Sequence, residues 1–401
     1  MVISKREMQP LSALFFFLGT LLVLLLVIFI LCKFFKLGKL ITSTFKPLPG
    51  FVLFRIHVTL SILFVNKKYV FFSDDTGTSN AVSVHLHTIS YFNFHTLEKA
   101  TKNFHSDNLL GCGGFGPVFL GKLGDGQLIA VKKLSVDKSQ QGDREFLAEV
   151  RMITSIQHKN LVRLLGCCSE GDQRLLVYEY MKNRSLDQIL YGKSKIFLDW
   201  KTRYQIILGI ARGLQYLHED SHIRIVHRDI KASNILLDDK FQPRIGDFGL
   251  ARFFPEDQAY LSTAFAGTLG YTAPEYALRG ELTEKADIYS YGVVVLEIIN
   301  SRKNTDLSLP SEMQYLPDYA WKLYERSRLI DLVDPKMLEN GVAEKDVMQT
   351  IHVAFLCLQP HANLRPPMSE IVAMLVTKAT PTPPPFLDPE LRIGRTITVH
   401  G

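Results

Sequence analysis

Two polar motifs near the middle of the chain constrain it more than any other feature. The first reads His227-Arg228-Asp229-Ile230-Lys231-Ala232-Ser233-Asn234, and the second reads Asp247-Phe248-Gly249. They fit the patterns H-R-D-x-x-x-x-N and D-F-G, which specify seven residues at fixed spacing. With each residue at roughly one in twenty by composition, chance would produce this set on the order of once in a million chains. The two motifs are therefore not a chance match, and together they indicate a specific chemistry.

A glycine-rich segment lies upstream of these motifs. Its sequence, which fits G-x-G-x-x-G-x-V, is Gly111-Cys112-Gly113-Gly114-Phe115-Gly116-Pro117-Val118. Glycine lets backbone N–H groups approach phosphate oxygens without an intervening side chain, although a glycine-rich hairpin turn gives the same pattern. Strand-like residues follow it in place of a helix, which excludes a Rossmann dinucleotide fingerprint.

A lysine on the next strand-like run, Ile129-Ala130-Val131-Lys132, is placed to reach the phosphates of a nucleotide held under the glycine segment. Because an ammonium is strongly hydrated, a second group must hold it in place. The candidate is Glu149, on a helix that Asp143 caps and that carries Phe146 at helical spacing. A lone lysine or glutamate is normally surface charge, so this pair gains weight only from its neighbours.

The periodicity of the chain separates two regions of different secondary structure. Short apolar runs bounded by glycines or turns predict an antiparallel sheet; they lie at Leu109–Leu120, Leu128–Leu134, Leu161–Leu165 and Arg174–Tyr180. From Leu186 onward helical spacing dominates, and the apolar run at 288–299 predicts a buried helix. The predicted fold class is therefore α+β, with a small sheet lobe containing one main helix and a larger helical lobe.

The N-terminal region predicts a single transmembrane helix. Residues 11–32 contain no charge, and as a helix they would span roughly 33 Å, enough to cross a bilayer. The alternative is a cleaved secretory signal, for which Lys5 and Arg6 resemble the charged start. Such apolar cores usually run about 7–15 residues before a small-residue cleavage site, and no such site follows here. Residues 1–10 are then a short N-terminal segment.

The basic excess of the chain belongs to this N-terminal region. The net charge is +6, yet residues 1–72 carry nine Lys or Arg and one acid, which leaves 37 Lys or Arg and 39 acids elsewhere. This bias flanks the predicted span and favours a cytoplasmic C-terminal side. It argues against a nucleic-acid partner. The five cysteines are odd in number and lack metal-ligand spacing, which argues against a disulfide scaffold or a zinc site.

The predicted domain limits leave two further segments outside the lobes. Residues 33–93 are interpreted as a juxtamembrane segment and linker, and 377–401 as a proline-rich flexible tail. A second apolar stretch at 51–65 is short and contains Arg55 and His57. It is either an interfacial segment or the product of an incorrectly assigned coding boundary.

Further motifs establish a resemblance to the eukaryotic protein kinases. Ala273-Pro274-Glu275 matches the end of an activation segment, Asp287 with Gly292 matches the buried helix after it, and Arg365 matches the late arginine that pairs with that glutamate. The resemblance covers 94–376, with the N-lobe to about 180 and the C-lobe over 181–376. The resemblance is closest to the plant receptor-like kinases, as the pattern Phe94-x-x-Leu97-x-x-Ala100-Thr101-x-x-Phe104 indicates. Within them it resembles the cysteine-rich group, here without an ectodomain.

The resemblance implies roles for the motif residues in phosphoryl transfer. Asp229 would accept or orient the proton of the attacking hydroxyl, and Lys231 would stabilise the γ-phosphate of ATP. Lys132, held by Glu149, would grip the α- and β-phosphates. Asn234 and Asp247 are hard oxygen ligands suited to Mg²⁺, with Mn²⁺ as an alternative.

The same resemblance implies a nucleotide-binding set. Gly111, Gly113, Gly114 and Gly116 would approach the phosphates, Leu110, Val118 and Ala130 would sandwich the adenine, and Tyr178 would lie at the back of the pocket. Glu179 and Met181 would offer backbone hydrogen bonds to the base. For each apolar member of the set, core packing describes the residue equally well.

Arg228, beside Asp229, predicts regulation by phosphorylation, because an unpaired arginine there would be costly unless an anion met it. Ser262 and Thr263 are the best-placed hydroxyls of the activation segment, and a phosphate would bring about two negative charges. Thr268 is predicted to contact Asp229 directly. We hypothesise that phosphorylation of Thr263 raises activity.

These observations together predict a membrane-anchored serine/threonine protein kinase that phosphorylates protein substrates and itself in receptor-type signalling. The resemblance places it in the plasma membrane through residues 11–32, with the kinase domain cytoplasmic and a co-receptor kinase as a further partner. The alternative is an ATP-binding pseudokinase or scaffold that acts through such a co-receptor. Loss of Lys132, Asp229 or Asp247 would favour that alternative, and all three are present.

Overall fold

The computed structural model describes residues 89–113, 116–134, 146, 149–192, 194, 196–255, 258–264 and 266–378. The predicted transmembrane helix at 11–32 lies outside these residues, as do Gly114, nearly all of the 33–93 segment and most of the tail. Within the described residues, no helix has the length and apolar character needed to cross a membrane.

The N-terminal lobe is built on a six-stranded sheet with the order β1-β5-β6-β4-β3-β2. Its strands are β1 (Ser90–Tyr91), β2 (Leu109–Gly113), β3 (Gly116–Lys122), β4 (Leu128–Lys133), β5 (Leu164–Glu170) and β6 (Gln173–Glu179). Five of them form the antiparallel sheet that the sequence predicts, and β1 pairs with β5 in parallel.

Strand β1 corrects the predicted linker, which the sequence extends to residue 93. Ser90 and Tyr91 lie opposite Gly166 and Cys167, and Phe92 N donates to Cys167 O at 2.9 Å. A Cβ at Gly166 would lie 2.0 Å from Ser90 O and 2.5 Å from the Phe92 ring. Strand β1 therefore reaches the sheet because Gly166 has no side chain. The local sequence pattern around residues 90–92 does not predict this contact.

Two helices complete this lobe. Helix α1 (Phe94–Ala100) starts at Asn93, whose side chain accepts a hydrogen bond from Thr96 N at 2.8 Å. It buries Leu97 on the sheet and ends before the predicted Phe104, because residues 102–104 adopt positive φ angles. Helix α2 is described over 149–154 and buries Val150 and Ile153 in the main core.

The C-terminal lobe is helical, as predicted. Its helices are α3 (Leu186–Leu190), α4 (Trp200–Gln215), α5 (Pro274–Arg279), α6 (Glu284–Asn300), α7 (Leu316–Glu325), α8 (Pro335–Glu339), α9 (Glu344–Cys357) and α10 (Met368–Thr377). Helix α6 is buried along almost its whole length, which explains its nearly continuous apolar sequence. Helices α4, α7 and α9 pack against it, and its first turn lies beneath the polar motifs.

Three pairs of short strands shape the loops of the C-terminal lobe. They are β7 (Ile225–Val226) with β10 (Arg252–Phe253), β8 (Ile235–Leu237) with β9 (Pro243–Ile245), and β11 (Leu261–Ser262) with β12 (Glu281–Leu282). Because β8 and β9 pair antiparallel, the residues that precede β8 and those that follow β9 meet at one end. This pairing brings Asn234 and Gly246 together.

Candidate active site

Lys132 connects both lobes through two carboxylates. Its Nζ lies 3.0 Å from Glu149 Oε1 and 2.9 Å from Asp247 Oδ1. The predicted pair of Lys132 with Glu149 is therefore present, and Asp247 joins it. Burial lowers the pKa of Lys132, but the charges of Glu149 and Asp247 outweigh burial and raise it above its usual value. The ammonium stays charged and fixed at the interface between the sheet and the polar loops.

Tyr178 on β6 supports the same carboxylate from behind. Its hydroxyl donates to Glu149 Oε1 at 2.6 Å, and the strand register places it opposite Ala130. Burial and the nearby charge of Glu149 raise the pKa of this hydroxyl well above its ordinary value, so it remains a donor. The sequence placed Tyr178 near the adenine but did not predict this hydrogen bond.

Three polar side chains contact the carboxylate of Asp229. Thr268 Oγ1 donates to Asp229 Oδ1 at 2.7 Å, as predicted, while Lys231 Nζ lies 2.8 Å and Asn234 Nδ2 lies 3.0 Å from Oδ2. Lys231 also donates to Thr268 Oγ1 at 2.9 Å. A carboxylate, an ammonium and a hydroxyl thus share one small cluster, which is suited to hold a hydroxyl substrate and a negatively charged phosphate.

The loop that carries Asp229 is held from below by Asp287 in the first turn of α6. The backbone N–H groups of His227 and Arg228 donate to the Asp287 carboxylate at 2.7 Å and 2.8 Å, and His218 Nε2 lies 3.0 Å away. Burial raises the pKa of Asp287, but hydrogen bonding and the charges of the two histidines more than offset it, so the pKa is lowered. A charged acceptor at a helix N-terminus therefore fixes this loop.

Asp247 is aimed by backbone geometry. Its φ angle is 65°, in the left-handed region, where a non-glycine residue is uncommon. Gly246 N donates to Asn234 O at 2.9 Å, and the ring of Phe248 packs edge-on against His227 with centroids 5.0 Å apart. These contacts keep the two predicted metal ligands, Asp247 and Asn234, next to each other.

The chemistry of these two side chains fits a magnesium ion. The charge and hydrogen bond of Lys132 overcome burial and lower the pKa of Asp247, so the carboxylate is ionised. Asn234 uses Nδ2 for Asp229 O and Oδ2, which leaves its Oδ1 as the atom for a cation. Among the described residues, no three His, Cys, Asp or Glu side chains form a metal cluster. Mg²⁺ commonly takes one or two protein ligands and completes its shell with substrate phosphate and water.

The predicted nucleotide-binding residues lie on strands β2, β3, β4 and β6 or directly beside them. A Cβ at Gly111 or at Gly113 would meet no protein atom within 4 Å, so the folded chain itself does not require glycine there. Close approach by a phosphate is a reason for it. Gly116 has a φ of 123° and turns the chain into β3, whereas Gly114 lies outside the described residues.

The other members of the predicted set are partly buried or buried. Val118, opposite Lys132 on the sheet, is partly buried, as are Leu110 and Ala130. The Glu179 side chain accepts from Arg163 N at 2.9 Å and Arg244 Nη1 at 3.2 Å. Because the Glu179 carboxylate is bound by these two arginines, its backbone and the backbone of Met181 are the groups predicted to hydrogen-bond the adenine. These roles stay predictions.

Comparison with known proteins decides the family. Residues 104–373, more than half of the chain, match the model of the protein kinase domain.

The chain belongs to the protein kinase family.

Individual relatives indicate which type of protein kinase the chain resembles. A probable LRR receptor-like serine/threonine-protein kinase of Arabidopsis thaliana is 49% identical over 339 residues, 84% of this chain and 32% of the relative. Cold-responsive protein kinase 1 of the same plant is 49% identical over 292 residues, 72% of this chain and 74% of that protein. Cysteine-rich receptor-like protein kinase 41 is 47% identical over 296 residues, 73% of this chain and 44% of that protein.

These matches confirm the predicted plant receptor-like kinase family and the bilobal fold. Residues 104–373 form a protein kinase domain, and the relatives that match it are named receptor-like kinases, the LRR relative also a serine/threonine-protein kinase. Identities of 47% and 49% are too close to separate the cysteine-rich from the LRR group. This kinase spans about a third of the length of the LRR receptor-like relative.

The activation segment of the kinase gives Arg228 partners that the sequence did not predict. Arg228 Nε donates to Tyr276 Oη at 3.0 Å, Nη1 to Leu250 O at 3.2 Å and Nη2 to Ala264 O at 3.2 Å. The expectation that only an added anion satisfies this guanidinium is therefore wrong. Neutral oxygens of the folded segment already do so, and the tyrosine hydroxyl gave no signal in the sequence.

The three candidate phosphorylation sites of the kinase differ in their surroundings. Thr263 is half-buried, its N–H donates to Gly280 O at 3.2 Å, and it directly precedes Ala264, whose carbonyl contacts Arg228. Ser262 is exposed and lies in β11 opposite Glu281. Thr268 is bound to Asp229 and Lys231, so its hydroxyl is engaged inside the site.

The end of this segment is fixed by the predicted pair of Glu275 and Arg365. The guanidinium binds both carboxylate oxygens, at 2.7 Å and 2.8 Å, and both residues are buried. Arg365 also donates to the carbonyls of Gln359, Lys285 and Pro360. Such a forked contact holds α5 against the rest of the C-lobe.

Proposed function

We propose that this chain is a membrane-anchored kinase that transfers the γ-phosphate of ATP to serine and threonine hydroxyls of proteins, including its own. The observation that carries the proposal is the cluster at Asp229, where Thr268 and Lys231 lie 2.7 Å and 2.8 Å from the carboxylate. A substrate hydroxyl in place of the Thr268 contact would meet the same base. The rest of the site supports a nucleotide beside it.

In the proposed reaction, the hydroxyl oxygen of the substrate forms a bond to the γ-phosphorus. The bond from that phosphorus to the β–γ bridging oxygen breaks, and ADP leaves with its electron pair. The hydroxyl proton passes to Asp229, which acts as general base. Lys231 is placed to stabilise the negative charge of the phosphoryl group during transfer.

Lys132 and Glu149 hold the nucleotide phosphates in this proposal, under the glycine segment that begins at Gly111. Asn234 and Asp247 would bind Mg²⁺, which when bound neutralises phosphate charge, and Mn²⁺ could replace it. Asp247 thereby has two partners, since its Oδ1 already lies 2.9 Å from Lys132. The ion pair keeps the carboxylate ionised and oriented for the cation.

The membrane part of the proposal rests on residues 11–32 and their flanking bases. Relatives that are named receptor-like kinases support a location in the plasma membrane with the kinase domain on the cytoplasmic side. A co-receptor kinase and protein substrates would be its partners. Fractionation of the full chain beside one that lacks 11–32 tests this: the anchor predicts that only the full chain stays in the membrane pellet after alkaline carbonate extraction.

The test of the reaction uses the full chain in detergent, labelled ATP and Mg²⁺, beside Asp229→Asn. We expect label in casein and in the chain itself with the unchanged protein, and its loss in the variant. No incorporation by either, together with measurable ATP binding, would reject catalysis in favour of a scaffold or of a kinase that needs a partner. Mapping of the labelled residues then assigns autophosphorylation.

A further inference from the structure

The segment at the start of the kinase domain covers one face of the N-lobe sheet. Residues 90–104, here called the strap, comprise β1, α1 and the turn that follows, and the protein kinase match begins only at residue 104. Beneath the strap lies an apolar cluster that is separate from the main core. Its buried members are Leu97 of the strap and five residues of the sheet, namely Ile129, Val131, Cys168, Leu175 and Val177. The strap therefore shields this face of the sheet from water.

The first end of the strap is attached to β5. Phe92 N donates to Cys167 O at 2.9 Å, and Tyr91 Oη donates to Ser169 O at 2.8 Å. The same hydroxyl accepts from Ser169 N at 3.3 Å, so the tyrosine forms a two-point contact with the backbone of the strand. Because Tyr91 is exposed, this contact lies at the surface and can open without disturbing the core.

A left-handed turn directs the second end of the strap towards β3 and β4. Residues 102–104 have φ angles between 52° and 57°, a conformation that non-glycine residues keep only where their surroundings hold it. The hydroxyl of the buried Thr101 accepts from Phe104 N at 3.1 Å and fixes the turn. The Phe104 ring packs edge-on against Phe119 of β3 with centroids 5.4 Å apart, and Lys133 Nζ of β4 lies 5.0 Å from its centroid.

Strand β4 joins the strap to the predicted nucleotide site. Successive residues of a strand point to opposite faces of the sheet. Ile129 and Val131 lie in the cluster under the strap, so Ala130 and Lys132 point the other way, where Ala130 packs against the main core. Val118 of β3 lies opposite Lys132 and shares its face. A shift of the strap would therefore move the strands that are predicted to hold the adenine and the phosphates.

We propose that the strap and the nucleotide site are energetically coupled: when 90–104 is bound to the sheet ATP binds more tightly, and detachment of the strap weakens it. The strap acts through β3 and β4 and is therefore a positioning device. It lies in the sequence between the proposed anchor at 11–32 and the rest of the kinase domain, so a partner that pulled it off the sheet would lower the affinity for ATP. The proposal rests on the proposed function, because it requires ATP beside Lys132.

The first test measures the Kd of a non-hydrolysable ATP analogue with Mg²⁺ for the full chain in detergent. Leu97→Ala removes the strap side chain that lies in the cluster, and we expect Kd to rise about fivefold, equivalent to about 1 kcal/mol. Leu375→Ala is the matched control, because Leu375 is equally buried but lies in α10 of the C-lobe. Its Kd should stay within about twofold, since distant sites interact little. An unchanged Kd in Leu97→Ala, or an equal rise in both variants, would overturn the proposal.

The second test uses the unchanged protein and follows from the reciprocity of coupled equilibria. If detachment of the strap weakens ATP binding, ATP must in turn hold the strap on the sheet. Amide hydrogen exchange at Phe92 and Thr101, whose N–H groups are bonded to β5 and within α1, should slow about fivefold at a saturating concentration of the analogue. Exchange at Leu358, which follows α9, should stay unchanged.

The outcomes separate the coupling from the nucleotide site on which it rests. Unchanged exchange in the strap with the analogue bound would overturn the coupling and leave the nucleotide site standing. If the unchanged protein does not bind the analogue, the proposed nucleotide site fails and the coupling fails with it. Because the exchange measurement needs no variant, it decides the matter if Leu97→Ala does not fold.

Discussion

Tyr178 Oη donates to Glu149 Oε1 at 2.6 Å, so the carboxylate that holds Lys132 is itself held from the sheet. The contact joins β6 to α2 and therefore restrains the helix that the Lys132 pair depends on. A side chain at the predicted back of the nucleotide pocket thus also restrains the lysine that is predicted to bind the phosphates.

Replacing Tyr178 with phenylalanine should weaken ATP binding. The ring remains, but Glu149 loses a charge-assisted hydrogen bond, which typically contributes about 1.5–3 kcal/mol. We expect KM for ATP to rise by roughly three- to tenfold, with a smaller change in kcat. Tyr289→Phe removes a buried hydroxyl of the C-lobe that lies 3.3 Å from Tyr315 Oη and is the control. An unchanged KM for ATP in Tyr178→Phe would contradict this role.

Thr263→Ala should lower the activity of the autophosphorylated kinase several-fold. A phosphate at Thr263 would add about two negative charges one residue from the Ala264 carbonyl that Arg228 binds at 3.2 Å. It would replace a neutral acceptor with an anionic one and tighten the segment. The measurement is phosphate transfer to casein after preincubation with ATP. Ser262→Ala is the comparison, and undiminished activity in Thr263→Ala would sink the prediction.

Arg365→Leu should destabilise the C-lobe strongly. It leaves the Glu275 carboxylate buried without its cation, which costs about 3–5 kcal/mol in comparable cases. The exposed pair of Arg279 and Glu281, 3.2 Å apart, is the matched control, and Arg279→Leu should cost about 1 kcal/mol or less. Urea unfolding followed by tryptophan fluorescence measures both. Similar losses in the two variants would show that burial of the Glu275 pair does not govern its contribution.

The stability of the chain should depend on pH through Glu297. Burial raises the pKa of this carboxyl from 4.5 to about 7, against the opposing hydrogen bonds from Asn304 and Tyr271, and the charge of Asp187 adds to the rise. Between these values the folded chain binds a proton that the unfolded chain has released. The stabilisation is therefore full below about pH 4.5 and is lost as pH rises through about 7.

The comparison of wild type with Glu297→Gln isolates this contribution. Relative to the variant, the wild type should lose on the order of 3 kcal/mol in free energy of unfolding between pH 5 and pH 8. Tyr271 and Tyr191 keep their protons over this range, because burial raises the pKa of both hydroxyls. Asp187→Asn separates the contribution of the other nearby acid. Parallel pH profiles for wild type and Glu297→Gln would contradict the assignment.

Gly166→Ala should detach β1 from the sheet. The added Cβ would lie 2.0 Å from Ser90 O, a distance that no small adjustment removes. We expect faster hydrogen exchange at Phe92 N–H, which donates to Cys167 O, with the core of the C-lobe unaffected. Gly171→Ala is a useful contrast because a Cβ there meets nothing within 4 Å, although its φ of 51° adds some local strain. Retained protection at residue 92 would show that the strand tolerates the change.

Much of the architecture could be read from the sequence because short-range rules govern it. Alternating and helical periodicities locate the sheet and α6, and fixed spacing brings Asp229, Lys231 and Asn234 onto one loop. The Lys132–Glu149 pair could be predicted because the order of the motifs along the chain implies which elements face each other. The limits proposed for the domain, 94–376, bracket the family match at 104–373.

The contacts that escaped the sequence are long-range and involve ordinary residues. Tyr271 and Glu297 are 26 positions apart, and Arg228 and Tyr276 are 48 apart. A tyrosine hydroxyl does not alter the periodicity of apolar residues, so its partner cannot be predicted from that pattern. A single glutamate in an apolar helix likewise does not indicate which residues it contacts. Strand β1 was missed because two residues are too short to show alternation. In each case the tertiary partner, and not the local segment, determines the structure.

The position of Lys132 between Glu149 and Asp247 has a consequence for how the molecule can be switched. The ammonium group of Lys132 on β4 contacts one carboxylate from α2 and one from the loop before Phe248. Displacement of α2 or of the loop would break one of these contacts, and displacement of β4 would break both. Signals that reach the sheet, the helix or the loop by separate routes would converge on a single charge.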